Sequence, residues 1–212
     1  MRLLRLIAVG APLLALTACG GGARTPVTTG APPAATAPTR GRLVTPADVE
    51  FISGMIPHHA QAVLMAGWAP ANGAGPSVRI LCERIVVSQR DEIALMQQWL
   101  RDHGQPVPAG DAAHDMMPGM DHSMLMPGML TAEQLTELHA ATGPEFDRLF
   151  LTNMIRHHEG AVTMVQQLIS TPGAARDSFI FKLAADINAD QTTEIDRMKR
   201  MLAQQLLGAP GP

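Results

Sequence analysis

An internal duplication constrains the fold of this chain more than any other feature. Residues 51–66 (FISGMIPHHAQAVLMA) and 150–165 (FLTNMIRHHEGAVTMV) are identical at 8 of 16 positions without a gap. A second pair of segments, residues 81–100 and 183–202, is identical at seven of 20 positions. Those seven residues recur at steps of 4, 4, 3, 1, 3 and 4, which is the spacing of one helix face. The sequence therefore predicts one helical hairpin that is present twice.

Two such hairpins predict an all-α four-helix bundle, because each must bury its apolar stripe against the other. The composition agrees, since 46% hydrophobic residues with only 3% aromatic residues suit a bundle better than a β-sandwich. The bundle is expected over residues 45–207, with repeat 1 at about 45–103, a Met-rich connecting loop at about 104–130, and repeat 2 at about 144–207. A short extra helix is expected over roughly 131–142.

The ends of the helices follow from capping and breaking residues. The first helix is expected to start at Pro46, with Thr45 as its N-cap and Asp48 closing a capping box, and to run to about Ala66. The other three helices of the bundle are expected from about Ser77 to His103, over roughly 144–169, and up to about Leu207.

The N-terminus predicts export and lipid anchoring. Arg2 and Arg5 precede an apolar stretch that is too short to span a bilayer, and this stretch ends in Leu-Thr-Ala before Cys19. A cysteine at the first mature position is the pattern of a bacterial lipoprotein, so residues 1–18 are interpreted as the signal peptide and Cys19 as the lipidated residue. The alternative is an ordinary signal peptide with an incidental cysteine. Residues 19–44 are rich in Gly, Ala, Pro and Thr and are expected to form a flexible tether.

This export signal predicts a domain outside the cytoplasm that contacts the cell membrane only through its lipid. Loss of the signal peptide lowers the 16 basic residues to 14, against 19 acidic residues, so the mature chain has a formal net charge of −5. That balance excludes nucleic acid as an expected partner. Cys82 would remain as the one unmodified cysteine, so no intramolecular disulfide is expected.

Both repeats contain the pattern Met-x-x-His-His-x5-Met, which places methionine and histidine along one side of a helix. Thioether sulfur is soft and favours Cu(I), and imidazole also accepts Cu(II). Methionine at helical spacing is often core filler, and a lone buried histidine is often a hydrogen-bonded core residue. The two copies, however, retain this set while they differ freely at Gly54/Asn153, Pro57/Arg156, Ala60/Glu159 and Gln61/Gly160. We therefore predict copper ligands at Met55, His58, His59, Met65, Met154, His157, His158 and Met164.

Two polar pairs recur on the matched face of the second helices: Gln89 with Glu92, and Gln191 with Glu194. Buried polar groups need partners. One interpretation is that these side chains accept hydrogen bonds from the ring N–H groups of the histidines and so orient them toward a metal. The other is that they form inter-helix hydrogen bonds without a metal.

The connecting loop contains six of the chain's 14 methionines, and Met-Pro-Gly-Met occurs in it twice. Its proline and glycine residues favour turns over a long helix. Exposed methionine is costly and open to oxidation, so a Met/His cluster outside the cytoplasm favours a second copper site. The alternative is a hydrophobic flap that packs over the bundle. The candidate loop ligands are His114, Met116, Met117, Met120, His122, Met124, Met126 and Met129.

The segments GMIPHHAQAVLMA and NMIRHHEGAVTMV, on a duplicated hairpin, resemble the domain-of-unknown-function 305 family. The resemblance covers about residues 45–207. It implies a ferritin-like fold, and the family includes exported copper-binding proteins of the CopM type. It also implies copper binding by the Met and His residues of these two segments and a role in copper tolerance or handling.

The function expected from the sequence is copper binding for sequestration, tolerance or trafficking, with a copper-transfer protein as a further partner. The alternative is a ferritin-like metalloenzyme with a di-iron or di-manganese site. Such enzymes use Glu-x-x-His motifs, but methionine and isoleucine occupy the positions three residues before each histidine here. No catalytic set of nucleophile, base and orienting group is evident, so no enzymatic activity is expected.

Overall fold

The computed structural model describes residues 44–111 and 125–208. The predicted signal peptide, Cys19 and all but the last residue of the predicted tether lie outside the described residues. Six of the candidate loop ligands also lie outside them: His114, Met116, Met117, Met120, His122 and Met124.

Helices make up the whole regular structure of the described ranges, which contain no strand. The five helices are α1 (Pro46–Gly67), α2 (Pro76–Asp102), α3 (Ala132–Ala140), α4 (Gly143–Ser170) and α5 (Ser178–Leu206). Helix α1 packs along α2 and α4 packs along α5, so each repeat is one hairpin, and contacts between α1 and α4 join the two. The predicted all-α bundle with a short extra helix is thus confirmed. Within the described ranges, none of these helices is long and apolar enough to cross a membrane.

Side-chain caps define where α1 and α3 begin. Thr45 and Asp48 form the predicted capping box at α1, in which the Thr45 backbone N–H donates to Asp48 Oδ2 at 2.7 Å. Thr131 and Gln134 form an equivalent box at α3. Each box satisfies backbone N–H groups that have no partner inside the helix.

A pair of buried aspartates ties each repeat to the turn of the other. Asp48, at the start of α1, accepts a hydrogen bond from the backbone N–H of Ala175 in the α4–α5 turn at 2.7 Å. Asp147, at the start of α4, accepts hydrogen bonds from the backbone N–H of Gly75 in the α1–α2 turn at 3.1 and 3.2 Å. The two aspartates are 99 residues apart, which is also the offset between the two His-His segments. The duplication therefore extends to the contacts between the repeats.

The buried interior consists of two apolar clusters with polar side chains between them. One cluster includes Met55 and Met164, and the other includes Met65 and Met154. Because α1 and α4 run in opposite directions, each cluster contains one methionine from each of the two His-His segments. Six of the buried polar side chains lie between the clusters along the four long helices and are here called the polar layer: His58, His59, Gln89, His157, His158 and Gln191.

Candidate metal centre

The four histidines of the repeats form one row of rings across the middle of the bundle. His58 and His157 face each other where α1 meets α4, with ring centroids 3.9 Å apart and a tilt of 39°. His59 lies 6.4 Å from His58, and His158 lies 6.2 Å from His157, with tilts of 54° and 55°. All four side chains are buried. The row therefore has the pseudo-two-fold symmetry of the sequence repeat.

The two outer rings are each bound by a carboxylate from the second helix of their own hairpin. His59 Nε2 lies 2.7 Å from Glu92 Oε2, and His158 Nε2 lies 2.7 Å from Glu194 Oε2. A carboxylate can only accept, so each Nε2 carries the hydrogen when Glu is ionised. The interpretation of both glutamates as acceptors for ring N–H groups is consistent with this geometry. By orienting the rings, these bonds direct each Nδ1 away from the glutamate.

The inner ring of His58 is held by the connecting loop. His58 Nε2 lies 3.0 Å from the carbonyl oxygen of Pro127. A carbonyl only accepts, so the hydrogen of a neutral His58 ring must lie on Nε2 and its lone pair on Nδ1. Neither nitrogen of His157 has a hydrogen-bond partner among the described residues.

Most of the ring nitrogens in the row are buried without a partner. Of the eight, five find no hydrogen bond within the described residues: Nδ1 of all four rings and Nε2 of His157. Both amide atoms of Gln89 and the side-chain oxygen of Gln191 are also buried without a hydrogen-bond partner among the described residues. Binding of a histidine, one of the two interpretations open from the sequence, is therefore not seen for either glutamine. Burying a polar group without a partner costs about 1–3 kcal/mol. The apolar clusters on either side cannot provide hydrogen-bond partners. This many unpartnered polar atoms in one layer therefore fits a site for a bound ligand.

Burial keeps three of the four rings, His58, His157 and His158, neutral. Burial lowers the pKa of His58 to about 3, and His59 adds to this effect. Burial also lowers the pKa of His157 well below its usual value, reinforced by His58. The pKa of His158 is lowered by burial although Glu194 opposes the shift. Neutral imidazole is the form that binds a metal ion, so these rings offer lone pairs at neutral pH.

Acidification should therefore destabilise the metal-free protein. The unfolded state protonates His58 near pH 6.5, whereas the folded state protonates it only near pH 3, so unfolding takes up a proton in between and stability falls as the pH falls. For His58 alone the loss from pH 7 to pH 5 should be about 2 kcal/mol. Urea unfolding at both pH values, followed by circular dichroism, measures it. A variant with His103→Ala and His139→Ala should show the same loss, and equal stability of the wild type at both pH values would contradict the prediction.

The methionines of the two repeats flank the row on both sides. Met55, Met65 and Met154 are fully buried, and Met164 is 8% exposed. Among residues 44–111 and 125–208, no three His, Cys, Asp or Glu side chains are placed so that they could hold a metal ion. The methionines in the two clusters that border the row carry thioether sulfur, which is a soft donor.

Two candidate loop ligands belong to the described residues, and both are packed against the bundle. Residues 126–130, here called the strap, cross the α1–α4 contact. Met126 is partly buried against the cluster of Met55, and Met129 is 9% exposed. The flap interpretation therefore describes this end of the loop better than a freely exposed copper site does.

Three residues at two positions where the repeats differ fit the strap, and the sequence analysis did not identify their role. Gln61 binds the backbone of Leu130 with both amide atoms, at 2.7 and 3.1 Å. Gly160, which replaces Gln61 in repeat 2, lies so close to the strap that a Cβ there would be 1.9 Å from the Pro127 oxygen. A Cβ at Gly54 would lie 3.0 Å from Met126 Sδ. The expectation that the copies differ freely here is thus wrong, because these residues fit the loop.

Comparison with known proteins identifies the family. The sequence profile of DUF305, a domain of unknown function, matches residues 48–202, about three-quarters of the chain. The chain belongs to the DUF305 family. This membership agrees with the resemblance seen in the two His-His segments, and the match includes all four helices of the bundle.

Solved structures of DUF305 proteins share the fold. A Streptomyces coelicolor protein that is predicted to be secreted is 28% identical, with a TM-score of 0.64 over 78% of this chain and 96% of that one. CopM in its Cu(II)-bound form is 32% identical, with a TM-score of 0.59 over 74% and 96% of the two chains. CopM has also been solved with Cu(I) and with silver bound. A protein of Acanthamoeba polyphaga mimivirus is 36% identical over 53 residues, which span 25% of this chain and only 35% of that protein.

Proposed function

We propose that this chain is an extracytoplasmic copper-binding lipoprotein for copper sequestration, tolerance or trafficking, and that it binds copper without catalysing a reaction. The main support is the set of five buried ring nitrogens in the histidine row that have no partner among the described residues. Three of the four histidines have a lowered pKa. Neutral nitrogen donors in a buried row flanked by thioethers suit copper better than a hard cation.

The relatives support the same proposal. CopM, with which this chain shares its fold at about 30% identity, binds Cu(II), Cu(I) and silver. Silver is a soft monovalent ion, and its binding fits a site rich in thioether and imidazole donors. We propose Cu(I) as the preferred state, because each His-His pair lies within seven residues of two buried methionines in sequence. Cu(II) would be a second state, bound through imidazole.

Histidine, glutamate and methionine side chains of the repeats would have different roles in binding copper. The Nδ1 atoms of His58, His59 and His158 offer lone pairs, because the Nε2 atom of each ring already donates a hydrogen bond. Glu92 and Glu194 hold the outer rings in place and raise the basicity of their Nδ1 atoms. Met55, Met65, Met154 and Met164 would add sulfur from the two clusters. A copper-transfer protein would receive the ion where copper is passed on.

The proposal predicts a clear metal preference. Protein purified from copper-supplemented medium should retain copper after extensive dialysis, and protein from iron-supplemented medium should contain little iron. Metal analysis by mass spectrometry, normalised to protein concentration, measures both. The His103→Ala and His139→Ala double variant is a matched control, since it removes two histidines outside the row and should retain as much copper as the wild type. Retention of iron in place of copper would favour the di-iron or di-manganese alternative.

A further inference from the structure

We infer that copper reaches the histidine row from one side of the bundle, through a surface cleft in which Met126 and Met164 form a two-thioether site for a soft monovalent ion. This inference rests on the proposed function and adds to it a specific first binding site. It joins one methionine of the strap to one methionine of repeat 2, two residues that the sequence assigned to separate sites.

The cleft is an open cavity of about 290 Å³ between α1, α4 and the strap. Met126, Met164 and Gly54 all line it. Both methionine side chains border the space beside Gly54, because a Cβ placed there would be 3.0 Å from Met126 Sδ and 3.5 Å from Met164 Cε. The missing side chain of Gly54 thus leaves open space at the ends of the two methionine side chains, where the inferred site lies.

The same cleft adjoins the histidine row. Pro127 lines the cleft, and its carbonyl oxygen accepts the hydrogen bond from His58 Nε2 at 3.0 Å. His58 is therefore separated from the cleft by one residue of the strap. Displacement of Pro127 would break this hydrogen bond and release the His58 ring, which could then turn its Nδ1 lone pair toward an ion held by Met126 and Met164.

Charge at the rim favours a cation. Glu50 lines the cleft and is exposed to solvent. The other polar side chains that line it, Gln167 and Thr171, are neutral, so no cationic side chain lines the cleft within the described residues. A monovalent soft cation finds an attractive carboxylate at the entrance and sulfur donors inside.

The equivalent position at the other end of the row is built differently. Asn153 replaces Gly54 in repeat 2, so a side chain occupies the position that is open in repeat 1. Met65, the counterpart of Met164, is fully buried, whereas Met164 is 8% exposed. The strap also lies against Gly160, a position occupied in repeat 1 by the larger Gln61. The duplicated sites are therefore unequal, and Met164 is the one that faces a cleft.

Nuclear magnetic resonance of the methionine methyl groups tests the inference directly. The mature protein, labelled with ¹³C at every methionine methyl group, is titrated with silver nitrate as a redox-inert substitute for Cu(I). The signals of Met126 and Met164, assigned from the single variants Met126→Leu and Met164→Leu, should shift before those of Met55, Met65 and Met154. Earlier shifts at those three, with Met126 and Met164 unchanged, would overturn the inference.

Uptake kinetics provide the second test. The double variant Met126→Leu, Met164→Leu should take up Cu(I) from a competing chelator at least tenfold more slowly than the wild type. Met96→Leu, which changes a buried core methionine outside the cleft, should match the wild type. Unchanged uptake by the double variant would overturn the cleft inference and leave the proposed function intact. No retention of Cu(I) or silver by the wild type would overturn the proposed function itself.

Discussion

Replacing both His58 and His157 with alanine is expected to lower the affinity of the protein for Cu(I) by more than about 100-fold. These two rings are the centre of the row, 3.9 Å apart, and contribute three of its five unpartnered nitrogens. Loss of a group that merely orients a ligand typically costs about 10–100-fold in metal affinity, so loss of two ligands should cost more. Competition with a chromogenic Cu(I) chelator measures the change.

Two controls separate the loss of ligands from the loss of fold. The helical circular dichroism of the double variant should remain close to that of the wild type, because the two apolar clusters on either side of the row are unchanged. The pair His103→Ala and His139→Ala, which removes two histidines outside the row, should leave the affinity unchanged. Wild-type affinity in the His58 and His157 variant would move the assignment to His59 and His158 or to the loop.

The substitution Gly160→Ala is expected to destabilise the protein by about 2–4 kcal/mol. Its Cβ would lie 1.9 Å from the Pro127 oxygen and 2.8 Å from the Cα of Gly128, both of which are backbone atoms that cannot rotate away. The strap must then move off α4, which breaks the bonds of Gln61 to Leu130 and of His58 to Pro127. Overpacking and broken buried hydrogen bonds cost about 1–3 kcal/mol each. Urea unfolding measures the total.

Gly67→Ala is the matched control, because Gly67 is also a helical glycine but has no atom near its missing Cβ. Alanine is the better helix former by about 1 kcal/mol, so this variant should be as stable as the wild type or slightly more stable. If Gly160→Ala behaved like Gly67→Ala, the close contact between the strap and α4 would not exist in solution.

The fold could be predicted from the sequence because the features that determine it involve residues close together in the chain and occur in both repeats. The helical spacing of identical residues, the capping box at Thr45 and the turn residues between helices each involve neighbours in the chain, and the helices begin and end within a few residues of the expected positions. The burial of all four histidines could not be predicted from helix spacing alone, because adjacent residues on a helix point about 100° apart. That Glu92 and Glu194 bind the outer rings was one of two interpretations open from the sequence.

The strap could not be predicted, because its contacts depend on tertiary geometry. Nothing in the pattern of Gln61 and Gly160 shows that one binds a loop backbone and the other makes room for it. In the alignment of the two repeats, the replacement of Gln61 by Gly160 looks like a substitution without structural consequence. For the connecting loop, the sequence leaves open both an exposed copper site and a packed flap, since a run of proline, glycine and methionine gives no sign of which residues pack. A large residue opposite a glycine in otherwise well-matched repeats is the signal that could have suggested a docked segment.

The crossed ties of Asp48 to Ala175 and of Asp147 to Gly75 have a consequence for the origin of the molecule. Each tie runs from one half of the chain to the other, so a single hairpin would have nothing to bind with its own aspartate. Two identical hairpins, associated about a two-fold axis, would supply both ties to each other. Joining such a dimer into one polypeptide would preserve both ties, and the connecting segment could then pack against the two unequal halves.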